Sequence, residues 1–151
     1  WKERGDTIVL CGQVPWDASV DLVDHVAWVQ SMAKTLRSKS GYPIIFRPHP
    51  LAVMENPKGC EFSKAPLSVD LLNCHAVVTF NSNSAVEAAI AGKAVFAFDI
   101  GSMAHKIANH DLTNIDSPKY PDRTQWLNDL CYAQWNLEEM RKGDAWRHIA
   151  R

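Results

Sequence analysis

A chain of 151 residues has the length of one domain and can bury a hydrophobic core without disulfide or metal staples. An apolar fraction of 46% with 22% charged residues excludes wholesale disorder and a fibrous protein. A net charge of −1 excludes a whole-body field for nucleic acid or anionic membrane and leaves only local patches for binding.

No apolar run reaches the roughly 18 residues of a transmembrane helix. The polar opening Trp1-Lys2-Glu3-Arg4-Gly5-Asp6 shows no signal-peptide pattern and no initiator Met, and reads as the start of a piece of a longer chain. The cysteines, Cys11, Cys60, Cys74 and Cys131, form no CxxC pair. They read as free, mostly buried thiols of a reducing compartment.

In chain order, Thr7 to Leu10 is a short β-branched run and predicts a buried strand. After a loop from Gly12 to Trp16, Asp17 or Ser19 is the expected N-cap of a helix. Its apolar positions run from Val20 to Leu36, its last turn is basic, and Gly41 is the expected cap. A second strand, 42–46, ends in Arg47-Pro48-His49-Pro50, and 51–65 reads as loop. Pro66 starts a short helix to Asn73, and Ala76 to Phe80 is a third strand. Asn81-Ser82-Asn83 makes a turn into a helix over 84–91, closed by Gly92. A fourth strand spans Ala94 to Phe98, 99–121 is mostly loop, and two helices, 122–135 and 137–150, end the chain.

Short alternation of strand and helix means βαβ units and a parallel sheet. Strands that are apolar throughout are those covered on both faces. The expected fold is α/β: a Rossmann-like three-layer domain over 1–151, with 122–150 as a helical tail.

Ligands of open parallel sheets bind at the carboxyl ends of the strands. Gly12-Gln13, Arg47-Pro48-His49-Pro50, Asn81 to Ser84 and Asp99 to Ser102 are expected there. A buried strand running into Asn81-Ser82-Asn83-Ser84 and a helix start reads as a phosphate or carboxylate cradle. The plainer account is a capping box of one serine with Glu87, which leaves four successive polar residues unexplained. Prolines on both sides hold His49 rigid, so it can donate to a phosphate and offset charge on a leaving group. Arg47 can pair with the same group. His105 and His110 fit no common zinc spacing, and no metal or other cofactor is expected. There is no GxGxxG, GxxxxGK[ST] or GxSxG.

Arg47-Pro-His-Pro50 followed by Val77-Val-Thr-Phe-Asn-Ser-Asn-Ser-Ala-Val-Glu-Ala88 and Gly92-Lys93 resembles the capsule polysaccharide biosynthesis glycosyltransferases, among them the Kdo transferases. The opening Val9-Leu-Cys-Gly-Gln-Val14 with Asp17-Ala-Ser19, and the closing Tyr132-Ala-Gln-Trp135 and Gly143 to His148, are similar to such proteins too. The resemblance implies a GT-B fold of two facing Rossmann-like domains, of which this chain matches the C-terminal, nucleotide-sugar-binding one. By that analogy His49 acts on the departing nucleotide and Ser82, Asn83, Ser84 and Arg47 hold the donor phosphate. Gln13 and Glu87 touch sugar or ribose. The donor implied is a sugar acid linked to CMP, used without metal. The acceptor saccharide would bind through an N-terminal domain, and the setting is cytoplasmic, with peripheral membrane association open. The competing readings are a non-catalytic nucleotide or sugar-phosphate module, and a nucleotide-sugar epimerase with Asp99 and Asp111 as its loop carboxylates.

Overall fold

In the computed structural model, which describes residues 1–2 and 5–150, the chain forms two compact units, Trp1–Pro121 and Asp122–Arg151. The first is built on a five-stranded, all-parallel sheet in the order β3-β2-β1-β4-β5. The strands are β1 (Thr7–Cys11), β2 (Ile44–Arg47), β3 (Glu61–Phe62), β4 (Cys74–Thr79) and β5 (Ala94–Ala97). Helices α1 (His25–Lys39), α2 (Leu67–Asp70) and α3 (Ser84–Ile90) connect them.

The reason for the apolar strands is visible in β1. Leu10 stands between Phe46 of β2 and Val78 of β4, and all three are fully buried. Ile8, Leu10, Phe46, Val78 and Phe96 form one core with Val29, Met32, Ala33 and Leu36 of α1. The intervening residues Val9, Val77 and Val95 are buried as well, so both faces are covered. Helix α3 packs on β4 and β5 through a face rich in alanine.

This is the Rossmann-like α/β arrangement read from the strand–helix alternation. The chain leaves β1 toward β2 and β3, then returns to the other side of β1 as β4 and β5. The strand order reverses between β1 and β4, and such a switch point opens a crevice at the carboxyl ends.

Several expected boundaries move. Helix α1 starts at His25, and its N-cap is Asp24, which accepts from the Ala27 N–H at 2.9 Å. Asp17 instead closes a turn on the Ser19 N–H, and successive turns fill the stretch to Val23. Gly41 is no left-handed cap; α1 ends when the chain becomes extended at Ser40. Strand β3 lies inside the expected loop because it is two residues long, exposed at the sheet edge, and a lone Phe62 beside Glu61 makes no strand pattern. Gly92, at φ +86°, does close α3.

The second unit contains α4 (Thr124–Tyr132), α5 (Leu137–Arg141) and α6 (Asp144–Ile149). Asn136 and Glu139 form a capping box at the start of α5. The expected last helix is split in two by Gly143, whose φ of +78° no helix accommodates. Trp146 is exposed.

Candidate functional site

The loops after β1, β2 and β4 converge at the switch point, and they enclose two adjoining cavities. The first, about 250 Å³, gathers Cys11, Arg47, His49, Ser82, Ser84 and Glu87. The second, about 430 Å³, is walled by Gln13, Asp17, Ser19, Asn81 and Gly101, and shares His49, Ser82 and Asn83 with the first. Residues read from the sequence as one site therefore do meet, from three different strand ends.

His49 sits between Pro48 and Pro50, and the Leu51 N–H donates to its Nδ1 at 3.2 Å. That bond makes Nδ1 the acceptor nitrogen, so the neutral ring carries its proton on Nε2. His49 lines both cavities, and Nε2 is the donor of its neutral ring.

Arg47, the last residue of β2, is anchored from behind. Its guanidinium pairs with Asp70 at 3.1 Å and donates to the Ala65 carbonyl. Asp70 is nearly buried and also accepts from the Ser63 hydroxyl at 2.8 Å. This partnership had no signal in the sequence. It fixes where the Arg47 charge stands and uses part of the donor fork.

The serine turn differs from both sequence readings. The N-cap residue Asn83 makes no side-chain cap bond, and Glu87 closes no capping box. The N–H groups of Ala85 and Val86 bond to the carbonyls of Ser82 and Asn83, so the first turn closes on its own backbone. What remains available is hydroxyl chemistry. The Ser84 N–H and hydroxyl both donate to the Ser82 oxygen, at 3.3 and 3.0 Å. The Ser82 O–H then has no acceptor among the described residues and is left to donate outward. Ser84 also hydrogen-bonds the Cys11 thiol, whose pKa burial pushes up to about 11. Cys11 is therefore a neutral wall residue and not a nucleophile.

Gln13 is buried, and its amide is already engaged. It donates to the Asn81 side chain and accepts the Asn81 N–H at 3.0 Å. Asn81 in turn donates to the Ser19 carbonyl at 2.9 Å and to Asp99 at 3.2 Å. Beneath them, buried His25 accepts the Gln13 N–H through Nε2 at 2.9 Å. These bonds tie the β1 loop to the β4 loop across the switch point. Gln13 lines the second cavity as its rigid wall. Glu87 is exposed at the rim of the first.

Asp99 accepts from the Gly101 N–H and Asp111 from the Thr113 N–H, both at 2.8 Å, as turn-forming carboxylates do. Among the described residues no three His, Cys, Asp or Glu are grouped as for a metal ion, and no helix is long and apolar enough to cross a membrane.

No protein-family profile matches the sequence, and no curated protein does. Solved structures do match. One is KpsC of Thermosulfurimonas dismutans, a β-Kdo 2,7 transferase: 23% identity and a TM-score of 0.52 over 76% of this chain and 45% of that one. Another is described as KpsC of Thermosulfurimonas dismutans, a β-Kdo 2,4 transferase, with 18% identity and a TM-score of 0.51 over 76% of this chain and 44% of that one. The chain spans less than half the length of these structures. The likeness is one of fold, and it falls on the same group of proteins that the His-Pro and Ser-x-Ser motifs resemble. By its Rossmann-like sheet, this chain is similar to part of the KpsC Kdo transferases.

Proposed function

We propose that this chain is the donor-binding domain of a glycosyltransferase of capsule or surface polysaccharide assembly, working in the cytoplasm on a sugar acid linked to CMP. The observation that carries the reading is the first cavity. Arg47, His49 and Ser82 reach it from the ends of β2 and β4 as donors suited to a phosphate, and Ser84 fixes the Ser82 hydroxyl.

The chemistry follows from those donors. Transfer breaks the bond between the anomeric carbon and the phosphate oxygen, and the electron pair leaves with the nucleotide. Negative charge grows on that oxygen in the transition state. The Nε2–H of His49 and the Ser82 O–H donate to it, and Arg47 supplies a fixed positive charge. Donors already held in place stabilise this charge without reorganising, which is where enzymes of this kind gain most. The acceptor saccharide and the base that deprotonates it belong to a facing domain.

Calorimetric titration with CMP, CDP, UDP and ADP tests the reading. CMP should bind, and Ser84→Ala, which removes one of the two donors that fix the Ser82 hydroxyl, should weaken it roughly tenfold. Failure of both cytidine nucleotides to bind the chain would overturn the proposal, and a preference for UDP would move the donor to another class of nucleotide sugar.

A further inference from the structure

A third cavity, of about 520 Å³, opens beside β5 and shares no residue with the two at the crevice. The donor reading does not use it. Its walls are fixed by hydrogen bonds. The Asn109 N–H donates to the Val95 carbonyl at 2.8 Å and the Asn109 carbonyl accepts from Ala97, so this segment pairs with β5 in parallel. The buried Asn109 amide then grips Lys119, donating to its carbonyl at 3.1 Å and accepting its N–H at 2.9 Å. His110 donates through Nδ1 to the Ala97 carbonyl at 2.8 Å, which leaves Nε2 as the acceptor of the neutral ring.

The charges in the wall are unequal. Lys106 and Lys119 line the cavity, and neither forms an ion pair among the described residues. Against them stands Asp111. Side-chain and backbone hydrogen bonds from Thr113, and then the charges of Lys39 and Lys119, hold its carboxyl below the usual carboxylate range. It is therefore an ionised acceptor at neutral pH. The lysines leave one positive charge over, enough for a single anionic group. A second negative charge on the ligand, as on a phosphate dianion, is repelled by Asp111. A carboxylate attached to a polyol suits both signs. The ammonium groups take the carboxylate, and Asp111, the Asn114 amide and His110 Nε2 take hydroxyls. Tyr120 and Pro121 add an apolar wall for the C–H face of a sugar ring.

We propose that this cavity binds a carboxylated sugar, free or as one unit of an acidic saccharide, apart from the donor site. It goes beyond the donor reading and stands or falls separately. Joined to that reading, it gives the chain a hold on an acidic saccharide that does not compete with the nucleotide.

The test is titration of the nitrogen-labelled chain, followed by its amide chemical shifts, with N-acetylneuraminate, its methyl ester, inorganic phosphate and CMP. N-acetylneuraminate should move the Asn109, Asn114 and Lys119 amides, saturating on the order of millimolar concentration. The ester, which has lost the charge, should bind roughly fivefold more weakly, and so should the acid to the double variant Lys106→Ala, Lys119→Ala. Asp111→Asn keeps an acceptor for the Thr113 N–H and should bind phosphate about threefold more tightly than the native chain does. A carboxylate that only shaped its turn would give no such gain. A linear tetramer of the same sugar separates the two sources. Binding beyond the roughly fourfold statistical gain assigns the cavity to a saccharide chain, and anything less assigns it to single units. Shifts confined to crevice amides such as Gln13 and Ser84 would overturn the proposal. So would an ester as good as the acid, a lysine variant without effect, or phosphate bound more tightly than the sugar acid by the native chain. CMP should move the crevice amides in the native chain and the lysine variant alike. If it moves none, the donor reading fails while the third cavity is judged by its own shifts.

Discussion

Each end of the sheet buries a histidine, His25 at the carboxyl end and His75 at the amino end, and each is 1% exposed. Each leaves its Nδ1 without a hydrogen-bond partner among the described residues. His75 donates through Nε2 to the Ile115 carbonyl at 2.7 Å and stacks on Tyr42 with ring centroids 4.3 Å apart. His25 accepts through Nε2 from Gln13 and stacks on Trp28. One ring tacks a loop to the framework; the other holds the first residues of a crevice. The surroundings differ in the same sense. At the amino end main chain bonds main chain, as where Gly5 and Asp6 donate to the carbonyls of Cys74 and Asn73, and the Thr7 hydroxyl and the Asn73 amide add side-chain bonds. The carboxyl end is closed by side chains, which leave cavities between them. Binding belongs where side chains rather than backbone make the closure, because only there does changing a residue type change what fits.

The largest expected effect breaks the tight end. A Cβ added at Gly5 would lie 2.0 Å from the Asn73 carbonyl oxygen, and backbone cannot swing away as a side chain does. Gly5→Ala should cost about 3 kcal/mol, which lowers Tm by roughly 6–12 °C. CMP binding by the folded fraction should persist, since nothing in either cavity is touched. Thermal melts paired with titration below the transition check both halves, and lost binding at full folding would show that the two ends are not independent.

Next in size is Asp70→Ala at the other end. It leaves the Arg47 guanidinium, with a side chain only 19% exposed, without its carboxylate. Breaking a partly buried pair from one side should cost about 2 kcal/mol. Here stability and affinity should fall together, because Arg47 is no longer aimed. A Tm loss without any change in CMP affinity would remove Arg47 from the phosphate site.

Much of this was legible in the sequence, for a physical reason. Strands buried on both faces must be apolar throughout, so β1, β4 and β5 announce themselves, and the polar runs that follow them must lie at the carboxyl ends. The meeting of Arg47 and His49 with Ser82 and Ser84 further needs β2 and β4 to flank β1. Side-chain partners are another matter. Asp70 as the anchor of Arg47, and Asn81 as the partner of Gln13, are choices made by tertiary packing between distant segments. Nothing local distinguishes an Asp that pairs from one that faces water. Asp17 and Asp24 are both good caps, and only the turn taken at Ser19 decides between them. Strand order has no local signal either: the alternation predicts β4, not the side of β1 on which it lands.

The smallest effect sharpens the comparison of the two histidines, and it concerns pH. Burial holds the His25 pKa below the ordinary value of about 6.5. The unfolded chain therefore takes up a proton at this residue, as pH falls through about 6.5, that the native chain refuses. More protons bound to the unfolded state means stability that declines with falling pH and is fully present above about pH 7.5. Protonation would also put an N–H on Nε2 against the Gln13 N–H, so acid acts on the crevice floor as well as on the fold. His25→Gln offers an acceptor near the same place and does not titrate. Its Tm should lie slightly below the native value at pH 7.5, and the gap should narrow or reverse by pH 5.5. Parallel Tm curves for the two proteins across that range would mean His25 is not what makes the crevice acid-sensitive. A narrowing gap, accompanied by CMP affinity that falls with pH in the native chain only, would tie the buried ring to the site it supports.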